Sequence, residues 1–254
     1  MARLFNDAAN DFLANANAII TAPPFAMICW FNTDTLAINQ TLMGIFDNGG
    51  NSNYFRLWID AAANHVNADS TSSAAGNTQA TTTNSYSANT WHLAAGVYAD
   101  TNDKRALLDG TGKGTDATNV TPAGLDAINI GRLGSLNPIQ YTSGMIAEVA
   151  FWDLTNWPGA TNADKANNFE AILPSIAGGA SPLCFPLGLK AYYNLIRDIN
   201  DKVGNYNLTA TGTTVANHPR VIRPNSNQPF FVTSGAAPPA TGIMTCNTGY
   251  WGSI

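Results

Sequence analysis

The sequence predicts an all-β protein, two antiparallel sheets packed face to face, with one short helix and an extended C-terminal arm. Three observations predict it. Apolar residues recur at every second position in several short segments, the period of a strand with one buried face. Clusters of Asn, Asp, Gly, Ser and Pro separate these segments, as turns between sandwich strands do. Only 11% of the 254 residues are charged, against roughly 25% in an average soluble chain. Just two glutamates occur, Glu148 and Glu170, so the residues that favour exposed helix surfaces are scarce.

Each element follows in chain order. Segment 25–31 (FAMICWF) is apolar on both faces, as expected of a central strand covered from two sides. In 54–59 (YFRLWI), Phe55, Leu57 and Ile59 share one face, and Tyr54, Arg56 and Trp58 the other. Segment 91–98 sets Trp91, Leu93, Ala95 and Val97 on one side. Trp91 is therefore expected in the inter-sheet core rather than stacked on a sugar. Further strands are expected at 104–109, 127–132 and 189–196, with Asp109-Gly110 as a hairpin signal. Segment 145–152 alternates Met145, Ala147, Val149 and Phe151 against Ile146, Glu148, Ala150 and Trp152. Turn clusters at 47–53, 109–115 and 132–138 punctuate these strands. Thr161 with Asp164 marks a helix start, Ala166, Phe169 and Ile172/Leu173 form its apolar stripe, and Pro174 should end it. That helix is expected as scaffold at one end of the sandwich. From Asn225 onward, isolated aromatics sit among Pro, Gly, Ser and Thr without periodicity. Such a tail frays unless held, so it is expected to pack on its own domain or, preferentially, on a neighbouring subunit.

The order of the pieces carries a resemblance. FAMICWFNTDTL, NTWHLAAGVYADTNDKRALLDG, INIGRLGSLNPIQYTSGMIAEVAFWD and GLKAYYNLIRD together resemble laminin G-like domains of the concanavalin A-like lectin/glucanase superfamily. The resemblance implies a jelly-roll sandwich. It divides the chain into a laminin G-like domain, 1–224, and an arm, 225–254. It also implies a structural role for Glu148, bonded to backbone or to an arginine such as Arg132.

Chemistry is sparse in the sequence. A net charge of −5 argues against nucleic acid, which needs clustered Lys and Arg. No apolar run approaches the roughly 20 residues of a membrane span, and the opening MARLFNDAANDFLANA lacks the apolar core of an export signal. Cys29, Cys184 and Cys246 are far apart and odd in number, so unpaired thiols are expected. A retaining glucanase needs two carboxylates about 5–5.5 Å apart. Around Glu148, however, the same-face neighbours Gly144, Ile146, Ala150 and Trp152 are non-acidic. The three histidines, His65, His92 and His218, are scattered, and no nucleophile motif accompanies them. No enzyme and no resident cofactor are expected. Calcium is the one ion with a candidate loop, Asp47, Asn48, Asn51 and Asn53, which offers hard oxygen ligands. Candidate sugar-stacking aromatics, chosen for flanking turn residues, are Tyr54, Tyr86, Tyr141 and Trp157.

Three function classes compete. The first is a virion structural protein, because the resemblance implies the single laminin G-like domains of bacteriophage particles. It would be a capsid decoration or cement protein, made in the host cytoplasm and displayed on the virion surface. Its partners would be the major capsid protein or copies of itself. Phe230, Phe231, Tyr250 and Trp251 would anchor its arm, since buried aromatics dominate interfaces. The second is an adhesin for host-surface glycans, possible also on a virion. A glycoside hydrolase is the remote third.

Overall fold

The computed structural model describes residues 2–50 and 52–221. The expected arm, 225–254, with Phe230, Phe231, Tyr250 and Trp251, lies outside the described residues. Among those residues two antiparallel sheets form the sandwich. The first runs β10 (Thr111–Asp116), β9 (Asp103–Leu108), β8 (His92–Asp100), β3 (Phe25–Thr33), β12 (Gly144–Asp153), β1 (Ala2–Phe5) and β15 (Thr214–Ala216). Strand β13 (Leu189–Tyr193) pairs the far half of β12, beyond the stretch that β1 occupies. The second sheet runs β14 (Thr209–Thr211), β2 (Phe12–Asn15), β11 (Ala127–Ile130), β4 (Gln40–Phe46), β5 (Tyr54–Ile59), β6 (Val66–Ser72) and β7 (Gly76–Thr81).

Between the sheets lie the core faces of these strands. Phe25, Phe55 and Tyr98 meet there with ring centroids 4.7–5.0 Å apart, beside Leu57, Ile59, Ile128 and Ile130. Each such side chain contributes about 2 kcal/mol when fully buried. Phe55, Leu57 and Ile59 face this core as their alternation predicts. All nine residues of β3 are buried, because the first sheet is covered on both sides.

The second cover is a helical layer. Helix α1 (Asn162–Glu170) begins with the expected capping box, Thr161 and Asp164 each bonding the other's backbone N–H. Pro174 does not end the helical region: it sits in the first turn of a second helix, α2 (Leu173–Ala177), where its missing N–H costs nothing. The two helices lie over the outer face of the first sheet rather than at one end. Phe169, Leu173 and Ile176 pack there with Leu93, Ala95 and Val97 of β8 and with Trp152. Trp91 borders this layer too, so the expectation of an inter-sheet Trp91 is corrected. Parity assigned it to the right set of residues but to the wrong side of the sheet.

A second correction concerns β12. Its pairing with β3 shifts register between Ala147 and Ala150, and Glu148 there takes φ 51°. One extra residue in a bulge reverses the faces. Ile146, Val149 and Phe151 therefore face the inter-sheet core, while Ala147, Ala150 and Trp152 face the helices. The Asp109-Gly110 hairpin forms as expected, with φ of 54° and 71°. A Cβ on Gly110 would lie 2.8 Å from the Pro174 nitrogen, so this turn presses directly on α2. Cys29 is a buried free thiol, whereas Cys184 is disulfide-bonded. The expectation of unpaired thiols thus holds for Cys29 and fails for Cys184.

Candidate functional site

On the second sheet no helix among the described residues lies over the outer face. Strand β5 presents Tyr54, Arg56 and Trp58 there, and Arg56 lies directly opposite Asp69 of β6. The guanidinium donates from Nε to Asp69 Oδ1 at 3.2 Å and from Nη2 to Oδ2 at 2.5 Å. Burial pushes the Asp69 carboxyl up, opposed by the Arg56 charge and its hydrogen bonds. The same guanidinium stacks 5.2 Å from the Tyr54 ring and 4.7 Å from that of Trp58. Its remaining Nη1 donates to Thr41 Oγ1 at 3.4 Å and to Gln140 Oε1.

That last bond fixes the segment between β11 and β12. Thr142 N–H donates to Gly131 O at 2.8 Å, Thr142 Oγ1 to Thr41 O at 2.7 Å, and Thr41 N–H to Gln140 O at 2.9 Å. Gln140 is held at φ 53°, an uncommon conformation for a residue with a Cβ, which the surrounding bonds over-determine. Arginine only donates, so Gln140 must turn its carbonyl toward Arg56, leaving its amide N–H groups uncommitted.

Those groups line a shallow, open cleft of about 400 Å³, together with Asp7, Ile38, Asn39 and Tyr141. Asp7 opens a 3₁₀ turn (Asp7–Ala9) capped by Asn6, and its carboxylate has no hydrogen-bond partner among the described residues. Asn39 Oδ1 accepts from Ala61 N–H at 2.9 Å, so this amide too has its N–H groups to spare. Tyr141 abuts Arg132, whose guanidinium lies 3.4 Å above the Phe12 ring. Ile139, 54% exposed, and Leu136, 63% exposed, lie on the same segment. The cleft thus offers amide donors, one carboxylate acceptor, an aromatic ring and a branched aliphatic side chain.

The structure separates the four candidate aromatics. Tyr141 lines the cleft, and Tyr54 lies on the same outer face beneath Arg56 and against Phe46. Tyr86 is buried, edge-on to Phe31, and donates to Asp60 O at 2.9 Å. Trp157 is buried against Phe169 and donates to Leu187 O at 2.8 Å. Those two are scaffold. In the candidate calcium loop, Asn53 Nδ2 donates to Asp47 Oδ2 at 3.4 Å and Asn48 N–H to Asp126 Oδ1 at 2.9 Å, while Asn51 lies outside the described residues. Among the described residues no three of His, Cys, Asp and Glu gather closely enough to hold a metal ion.

Asp7, Asn39, Arg56 and Gln140 were missed by sequence reasoning. Only Arg56 left a signal, as the charge placed between two aromatics of one strand face.

The carboxylates are committed elsewhere. Buried Glu148 receives the Tyr192 hydroxyl and lies 2.8 Å from His218 Nε2, not against Arg132, which donates instead to Asn129 Oδ1 at 2.8 Å. Glu170 binds Arg105 and Lys113 at 2.7 and 2.9 Å. His92 lies between Asp109 Oδ2 at 2.8 Å and Ser87 Oγ at 3.2 Å, the bond order of a nucleophilic triad. But Ser87 N–H also donates to His92 Nε2 at 3.2 Å. The basic lone pair is thereby spent on holding the loop, and the group reads as a fastening.

A profile of the concanavalin A-like lectin/glucanases superfamily matches residues 7–155, more than half of the chain, and the chain belongs to that family. Among solved structures, a protein from Bacteroides ovatus described as carbohydrate binding superposes with a TM-score of 0.57 at 20% identity. The match covers 87% of this chain and 61% of that one, so the chain spans less than two thirds of that protein's length. The native heptameric SAP-like pentraxin of Limulus polyphemus superposes with a TM-score of 0.56 at 13% identity, over 85% and 94% of the two chains. At such identities the likeness is one of fold. No curated protein matches the sequence.

Proposed function

We propose that the protein is a non-enzymatic glycan-recognition domain carried on a larger particle, and that the cleft of Asp7, Ile38, Asn39, Gln140 and Tyr141 is its sugar site. One observation carries this reading. The Asn39 and Gln140 carbonyls are already satisfied by protein donors, so the cleft turns amide N–H groups and a free carboxylate toward the ligand. Sugar hydroxyls, each donor and acceptor, match that set, and Tyr141 supplies a ring for a pyranose face. Tyr141→Ala should lower glycan-array signal at least about tenfold without changing the unfolding midpoint. An unchanged array profile would remove the cleft from the reading. Comparing arrays with and without EDTA tests the calcium alternative.

A virion is the particle proposed, with the sandwich as a rigid head and residues 225–254 as the attachment. The abrupt change of composition at Asn225 supports this. Full-length protein with Phe230, Phe231, Tyr250 and Trp251 changed to alanine should remain folded and soluble yet fail to join particles. So should the chain lacking 225–254. Incorporation of either at full occupancy would rule the attachment out.

A further inference from the structure

Resting on that reading of the cleft, we infer its ligand class: neutral or amino-bearing glycans, with acidic sugars such as sialic and uronic acids excluded. Charge decides this. The lining contains one carboxylate, Asp7, and no Lys, Arg or His. A carboxylate brought in on a sugar would share a small volume with Asp7 and find no cation to offset it.

Two guanidinium groups lie nearby, and both are already engaged by the protein. Arg56 is 3% exposed and spends Nε and Nη2 on Asp69, Nη1 on Thr41 and Gln140, and both faces on aromatic rings. Its charge is balanced beneath the cleft. Arg132 donates from Nε to Asn129, bonds the Tyr141 side chain and lies flat on Phe12.

What remains suits other groups. The amides of Asn39 and Gln140 supply N–H donors for hydroxyl oxygens or for the carbonyl of an N-acetyl group. The Asp7 carboxylate accepts from hydroxyls and would pair with the ammonium of a glucosamine unit.

The test is calorimetric titration of the full-length protein at low and high salt. Its ligands are N-acetylglucosamine oligomers, their de-acetylated counterparts, and sialylated and glucuronic acid oligomers. The first two should bind at least about tenfold tighter than the acidic pair, and Asp7→Asn should shrink that gap to about threefold or less. Acidic glycans binding as tightly as neutral ones, in a manner abolished by Tyr141→Ala, would overturn the selectivity while leaving the cleft as the site. A gap that survives Asp7→Asn but vanishes at high salt would assign it to the overall charge of −5 and overturn the role of Asp7. Binding of every class unaffected by Tyr141→Ala, or no binding at all, would overturn the cleft itself.

Discussion

The two outer faces of the sandwich each bury a tryptophan, by opposite means. On the first sheet Trp152 is fully buried under Phe169 of α1 and donates from Nε1 to Phe185 O at 2.9 Å. On the second sheet Trp58 is covered by the Arg56 guanidinium, and its Nε1 has no hydrogen-bond partner among the described residues. The helical cover is apolar and non-directional, so its yield is stability. The Arg56 cover is polar and directional, and its last free nitrogen reaches out to position Gln140 at the cleft. One face stabilises; the other turns amide donors toward an open cleft.

Substitutions can break this contrast from either side. The largest effect is expected at Phe169, whose ring lies 5.1 Å from Trp152 and 5.2 Å from Trp157. Phe169→Ala should cost about 4 kcal/mol in urea unfolding while leaving glycan affinity of the folded protein unchanged. A loss under about 1 kcal/mol would show that the helical layer is not the main stabiliser of its face.

On the opposite face, Asp69→Ala strands the Arg56 charge in a buried setting and should cost about 3 kcal/mol. Unlike the first change, it should also abolish cleft binding, because the guanidinium no longer holds Gln140. The double change Arg56→Met with Asp69→Leu sharpens the comparison. Stability should largely return, since buried ion pairs can be replaced by apolar packing, and binding should not. Recovery of both would detach the pair from the site.

Smaller effects test the supports of each face. Thr161→Ala removes the α1 cap and should cost about 1 kcal/mol with no change in binding, read as a shift in urea midpoint. Asp60, in the turn between β5 and β6, should govern part of the acid response. Burial pushes its carboxyl up, but the Ala63 N–H at 2.7 Å, the Asn67 amide at 3.0 Å and the His65 N–H hold it below the usual carboxylate range. A folded pKa below the unfolded value of about 3.9 contributes stability above that pH and loses it as pH falls through the folded value. Asp60→Asn should therefore destabilise the protein at neutral pH and flatten its acid-unfolding limb. An unchanged limb would mean that Asp60 carries none of it.

Much of the fold was legible, and for physical reasons. The alternation of Phe55, Leu57 and Ile59, the Thr161–Asp164 cap and the Asp109-Gly110 turn all rest on interactions within a few residues. The misreadings have a common cause. The bulge at Glu148 depends on pairing with β3, more than a hundred residues earlier. The side taken by Trp91 depends on helices that the chain had not yet reached. Tyr86 and Trp157 carry turn residues around them, as the cleft-lining Tyr141 does, so flanking composition could not separate scaffold from site.

Sequence alone determined that this chain is a two-sheet sandwich of low charge with just two glutamates and a compositionally distinct C-terminal segment. Alternation reports which side chains leave water. It does not report what replaces the water, and that was decided by tertiary structure: helices over Trp152, an arginine over Trp58. The cleft is likewise a tertiary product. Asp7, Ile38 with Asn39, and Gln140 with Tyr141 come from three distant segments, and the one bond that orients Gln140 spans 84 residues. No local pattern encodes such a meeting, because each residue reads alone as an ordinary polar or aromatic loop position.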